Sequence, residues 1–144
     1  MIKQEEKAKN LQEKYMEFQT MQYQLQELQQ ANEKVDEELI NLNALKQALD
    51  DFSKLKEGDE ILVTVANGIF AKAKLMDSKK LKMSVGADIT TTKTVGGVKN
   101  FVEKQEDSLK TLKEKLNEDM QNIFSKLKNS EKELKKLIKE DKEK

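Results

Sequence analysis

Carboxylates and ammonium groups are the only reactive side chains abundant in this sequence, so acid–base catalysis is the first chemistry to weigh. Asp36-Glu37-Glu38 and Asp50-Asp51 bring acids together, but a working acid and base need environments that drive their pKa values apart. These clusters fall on stretches expected to be exposed helix faces, where that separation has no source. The chain has no His, Cys, Arg, Trp or Pro, which removes the imidazole base, the thiol nucleophile and the Cys/His zinc cage. Gly96-Gly97 lacks the Gly-x-x-x-x-Gly-Lys-Ser/Thr pattern of a phosphate loop, and Gly86 with Gly96 lacks dinucleotide spacing. The expectation is a protein that is not an enzyme and carries no cofactor and no metal.

Charge excludes a second class. The 144 residues carry 27 Lys+Arg, all of them Lys, against 27 Asp+Glu, for a formal net charge of +0. The signs are interspersed as on solvated helix faces, without the basic stripe or Arg forks of a nucleic-acid binder. No stretch approaches the roughly 18 apolar residues of a membrane span, and Met1-Ile2-Lys3-Gln4-Glu5-Glu6 lacks a signal peptide's apolar core. A cytoplasmic protein that engages neither nucleic acid nor membrane is expected.

The elements follow from two periods. Residues 1–57 are rich in Glu, Gln, Lys, Leu and Ala, good helix formers. Leu11, Phe18, Leu25 and Leu39 repeat at seven, with Met21, Leu28, Val35, Leu42 and Leu49 three residues later. These are the a and d positions of a coiled coil, with Asn32 as the polar residue that fixes register. The seam is expected to drift to Leu45, Leu49 and Phe52, with Gly58 as a C-cap. Residues 99–144 repeat the pattern: Leu109, Leu116, Ile123 and Leu137 interleave with Met120, Leu127 and Leu134. Asn100 and Glu103 predict a capping box at the start of that helix, and the two helices are expected to pair antiparallel.

Residues 58–98 switch to period two. Ile61-Leu62-Val63-Thr64-Val65 and Ile69-Phe70-Ala71-Lys72-Ala73 flank Asn67-Gly68, which predicts a hairpin closed by a type I′ turn. Leu81-Lys82-Met83-Ser84-Val85 and Ile89-Thr90-Thr91-Thr92-Lys93 flank Gly86-Ala87-Asp88 and predict a second. Four short strands make a thin sheet with open edges, and the first strand is apolar on both faces, with Leu62 and Phe70 together on the second face. Such a sheet needs cover. The fold class is therefore α+β, a long antiparallel coiled coil with two β-hairpins inserted between its helices. The hairpins are expected to join other subunits into a barrel-like hub through Ile61, Leu62, Val63, Val65, Ile69, Phe70, Leu81, Met83, Val85 and Ile89.

The order of long helix, two hairpins and long returning helix resembles alpha-class subunits of the prefoldin family. Glu60–Ala73 resembles that class's apolar first hairpin with its small-residue turn, and Lys82–Ile89 its second. The resemblance covers essentially the whole chain. It implies a double β-barrel shared by two alpha and four beta subunits, with arms that hold unfolded proteins without ATP and pass them to a group II chaperonin. The polar Ala71-Lys72-Ala73-Lys74 and the Thr-rich Thr90–Thr94 depart from the commoner members. A divergent sub-class, gamma-prefoldin, forms filaments of a single subunit through its own hairpins, and it is the alternative reading, with a scaffold role.

If the arms hold non-native chains, their ends should carry apolar groups that the seam does not need. Met1, Ile2, Tyr15, Met16 and Tyr23 lie off or beside the a and d registers, and flexible Met suits varied partners. Leu134, Leu137 and Ile138 at the other terminus complete the expected client-binding set, although Leu134 is in register with the seam.

Overall fold

The computed structural model describes residues 2–142; the expected binding residue Met1 and the side chain of Ile2 lie outside the described part. The elements run α1 (Ile2–Ser53), β1 (Glu60–Ala66), β2 (Ile69–Lys74), β3 (Lys80–Gly86), β4 (Ile89–Thr94) and α2 (Val95–Lys142). The chain divides into two compact units. A helical unit holds the residues up to Glu37 and those from Lys110 onward; a hairpin unit holds Glu38–Leu109.

In the helical unit α1 and α2 pair antiparallel, since Lys14 bonds Glu133 while Asp36, further along α1, bonds Lys113, further back on α2. The expected seam is the one that forms: Val35, Leu116, Leu127 and Leu134 are buried, and Leu11, Phe18, Met21, Leu25, Leu28, Met120 and Ile123 are half-buried. Two polar residues interrupt it. The Oδ1 atom of Asn32 is buried with no hydrogen-bond partner, which costs stability and suits a register-fixing role. Ser130, in register with Ile123 and Leu137, is buried at 7% exposure.

In the hairpin unit the seam takes in Leu49 and Phe52 as expected, buried and half-buried, but not Leu45. It continues by seven from Leu39 to Lys46, which is half-buried, while Leu45 is exposed. The Lys46 ammonium is 2.7 Å from Glu106, so a charge pair fills the place expected for Leu45. The hydrogen bond that Lys46 donates to the Glu106 carboxylate raises the pKa of Lys46. Lys99 meets Asp50 at 2.5 Å and holds its carboxyl below the usual range.

Helix α2 begins at Val95, five residues before the predicted capping box, and Asn100 is helix interior. The cap is Thr94: its Oγ1 accepts the Gly97 N–H at 3.0 Å, as an N-cap hydroxyl should. A Cβ at Gly97 would sit 3.2 Å from that oxygen. Gly58 likewise caps no helix, because α1 ends at Ser53; its N–H donates to Leu75 O at 2.7 Å and opens the first β ladder.

The four strands do not form one sheet. β1 pairs only with β2 and β3 only with β4, giving two separate antiparallel hairpins. They follow one design twenty positions apart: strands of seven and six residues, a turn of two residues, and a bulge at Val65 and at its equivalent Val85. The turns differ from expectation. At Asn67-Gly68 only Gly68 has positive φ, so the type I′ turn, which needs both central residues left-handed, does not form there. Both central residues of the second turn, Ala87 (φ 49) and Asp88 (φ 60), are left-handed. The type I′ turn thus falls on Ala87-Asp88, where Ala takes on the strain that Asn-Gly would have avoided.

Candidate assembly and binding surfaces

The cross-strand register decides what each hairpin presents. Partners across an antiparallel pair share a face. In the first hairpin Leu62 lies opposite Lys72, and Thr64 opposite Phe70, so Leu62 and Phe70 are diagonal neighbours on one face. Ile61 with Ala73 and Val63 with Ala71 form the other. Leu62 and Phe70 are 67% and 59% exposed. Val65 and Ile69 at the turn are also exposed, so the first hairpin leaves several large apolar side chains in water.

The second hairpin has its inner face covered by its own chain. Leu81 and Met83 pack against the buried cluster Leu49, Val98 and Val102, joined by Leu42. These two were expected among the joining residues, and the chain uses them for its own core. The Lys93 ammonium lies 5.1 Å from the centroid of the Phe101 ring, a further tie between β4 and α2. The outward face, Lys82, Ser84, Thr90 and Thr92, is polar and exposed. Only Val85 and Ile89, next to the turn, remain apolar and uncovered. The connector is held by Asp77, whose Oδ1 accepts from the backbone N–H of Lys79 at 2.8 Å and of Lys80 at 3.2 Å. Those bonds lower its pKa.

In the helical unit Tyr15, Met16 and Tyr23 are exposed, off the seam as expected. Ile138 is exposed and Leu137 half-buried, whereas Leu134 is buried between the helices and offers nothing while they stay paired. One exposed aromatic was missed: Phe124, beside Ile123 of the seam, is 51% exposed with the Lys128 ammonium 4.8 Å above its ring. The signal was present, because Phe124 falls one place off the heptad.

No helix among the described residues is long and apolar enough to cross a membrane. A model of the prefoldin subunit family matches residues 21–140. Prefoldin subunit alpha of Methanococcus aeolicus is 38% identical over 88 residues, 61% of this chain and 59% of that protein. Prefoldin subunit alpha 1 of Thermococcus kodakarensis is 34% identical over 101 residues, 69% of this chain and 68% of that one. The first of these matches spans less than two thirds of the relative's length. The fold is shared with filamentous PFD from Methanocaldococcus jannaschii, at TM-score 0.67 and 20% identity over 77% of this chain and 92% of that chain. It is shared too with the prefoldin beta subunit of Thermococcus strain KS-1, at TM-score 0.57 and 18% identity over 88% and 90%. With the family model spanning both helices and both hairpins, and alpha subunits among its relatives, this chain belongs to the prefoldin family.

Proposed function

We propose that this chain is a subunit of an ATP-independent holdase chaperone, joined to other prefoldin subunits through its first hairpin. Its helix pair captures non-native proteins, which pass to a group II chaperonin. The observation that carries the reading is a division of apolar surface. The seam buries what the helix pair needs, and Tyr15, Met16 and Tyr23 are left over on the helices while Leu62, Val65, Ile69 and Phe70 are left over on the hairpin. Leftover apolar side chains on flexible stems suit weak capture of varied chains, which several arms together make useful. The hairpin patch suits a lasting contact with another subunit.

A filament of this one subunit is the second reading. It is favoured by the two open-edged hairpins and by the fold likeness to filamentous PFD. Micrographs of the purified chain, alone and with a single-hairpin relative, separate the two: long polymers of the chain alone support the filament, and a discrete particle formed only with the relative supports the hetero-oligomer. For the holdase, substoichiometric assembled protein is expected to suppress aggregation of a denatured client without ATP. Deleting residues 1–24 or 128–144 should weaken protection while assembly persists. Full protection by both truncations would defeat the placing of capture on the helix pair.

A further inference from the structure

Nine Asn residues lie along the chain, and α1 and α2 hold eight of them. Asn67 alone lies outside a helix, in the turn between β1 and β2, and it alone is followed by Gly. Asn67 and Gly68 are both exposed, and a Cβ on Gly68 would meet nothing within 4 Å. This juxtaposition has a chemical meaning. The side-chain amide carbon of an Asn stands one ring closure away from the backbone nitrogen of the next residue, and attack requires the main chain to rotate until the two meet. In a helix that nitrogen is tied into the i→i−4 ladder and the rotation is blocked. In the turn, Gly68 brings no Cβ to hinder the approach, and water reaches both residues. Asn67 is not left-handed, so a need for positive φ is not what places an Asn there.

We infer that Asn67-Gly68 is a self-modification site, at which the first hairpin converts with time from a neutral to an anionic turn with water as the only co-reactant. The Gly68 nitrogen gives its proton to solvent base and bonds to Cγ of Asn67. The Cγ–Nδ2 bond breaks, and Nδ2 leaves as ammonia. The product is a five-membered succinimide, which water opens at one of its two carbonyls. Opening at Cγ leaves an aspartate in an ordinary main chain. Opening at the main-chain carbonyl leaves an isoaspartate, whose main chain runs through the former side chain and is one carbon longer. Nothing is oxidised or reduced, and either product adds one negative charge to a chain of formal net charge +0. The consequence for assembly rests on the reading of the first hairpin as the joining surface. In the turn the new carboxylate stands between Val65 and Ile69, 67% and 59% exposed, so a partner covering those side chains must also desolvate an anion. The longer isoaspartate chain in addition strains the pairing of Ala66 with Ile69 that closes the ladder. The second hairpin has Ala87-Asp88 at the same place, with no amide to lose. The reaction belongs to the turn that is open to water, so a subunit left unjoined ages and then joins poorly.

The test ages the dilute purified chain in mildly alkaline buffer and follows its tryptic peptide of residues 57–72, which holds Asn67 and no other amide side chain. Mass spectrometry is expected to show this peptide gaining the mass difference between water and ammonia and separating into two forms, about tenfold faster than any helical Asn converts. The rate should rise with pH, because the Gly68 nitrogen must lose its proton. Conversion at Asn67 no faster than at the helical sites overturns the site. Asn67→Gln keeps a neutral amide but needs a six-membered ring to close, and its peptide should stay unchanged over the same period. Sedimentation velocity with a single-hairpin relative reads the consequence. Parent aged until the peptide has converted is expected to associate about tenfold more weakly than fresh parent, while Asn67→Gln aged alongside it associates as fresh parent does. Converted parent that associates at full strength overturns the effect on assembly. Fresh parent that joins neither itself nor the relative overturns the joining reading and the effect on assembly with it, and the peptide result then decides the chemistry at Asn67 by itself.

Discussion

The two hairpins share strand lengths, register, bulge position and turn length, yet one is completed by its own chain and the other is not. Position by position, Ile61 and Val63 of the first correspond to Leu81 and Met83 of the second, while Leu62 corresponds to Lys82 and Phe70 to Thr90. Strand geometry is indifferent to these exchanges, since both ladders form. What differs is the partner each face implies. Lys82 and Thr90 are at home in water, so the second hairpin needs only its inner face covered, and Leu42, Leu49, Val98 and Val102 do that. Leu62 and Phe70 put an aliphatic and an aromatic group on a face that the described residues leave mostly in water. The difference teaches that one backbone module can expose a polar or an apolar outer face according to two side chains on it.

The comparison breaks most directly by exchanging those faces. Giving the first hairpin the second one's outer residues, Leu62→Lys with Phe70→Thr, is expected to weaken subunit association about a hundredfold or more, because two apolar side chains lose their burial at about 1.5–3 kcal/mol each. Sedimentation velocity reads the loss, and unchanged thermal unfolding of the helices shows that the fold survives. Association at the parent strength would mean that strand edges alone hold the subunits together.

Truncating the inner faces sharpens the contrast. Met83→Ala removes a side chain that packs on the Leu49 cluster and should destabilise the chain by about 2 kcal/mol in urea unfolding. The equivalent Val63→Ala is expected to cost under about 1 kcal/mol in the unassembled chain, since Val63 is already 39% exposed there. Equal losses would erase the distinction between the two hairpins.

The smallest effect lies in the turns. Ala87→Gly relieves a left-handed Ala and should raise stability by about 1 kcal/mol. Asn67→Gly, at the matching place in the first turn, relieves nothing because Asn67 is not left-handed, and the added chain entropy should leave it neutral or slightly destabilising. Thermal melts of the two variants, compared with the parent, check the opposite signs.

Much of this was readable without coordinates. A period of seven marked the seam from Leu11 to Leu49 and from Leu109 to Leu137, a period of two marked the four strands, and both patterns are set by backbone geometry within a few residues. Tyr15, Met16 and Tyr23 were legible as surplus for the same reason: they miss the seam. Three local readings went astray where a stronger local signal stood nearby. Asn100 and Glu103 imitate a capping box, but Thr94 lies at the true boundary. Asn67-Gly68 favours a I′ turn, but Asn67 is not left-handed. Leu45 looked like the seam because it is apolar, while the heptad position went to the ion-paired Lys46.

Sequence alone determined the helices, the hairpins and the side chains that the seam rejects, because helical and pleated periods are properties of the chain with itself. Tertiary structure decided that Leu81 and Met83 belong to this chain's core while Leu62 and Phe70 remain in water. Those outcomes depend on which distant segments come within reach of one another. Burial is a property of pairs of surfaces, and no local period encodes the second surface.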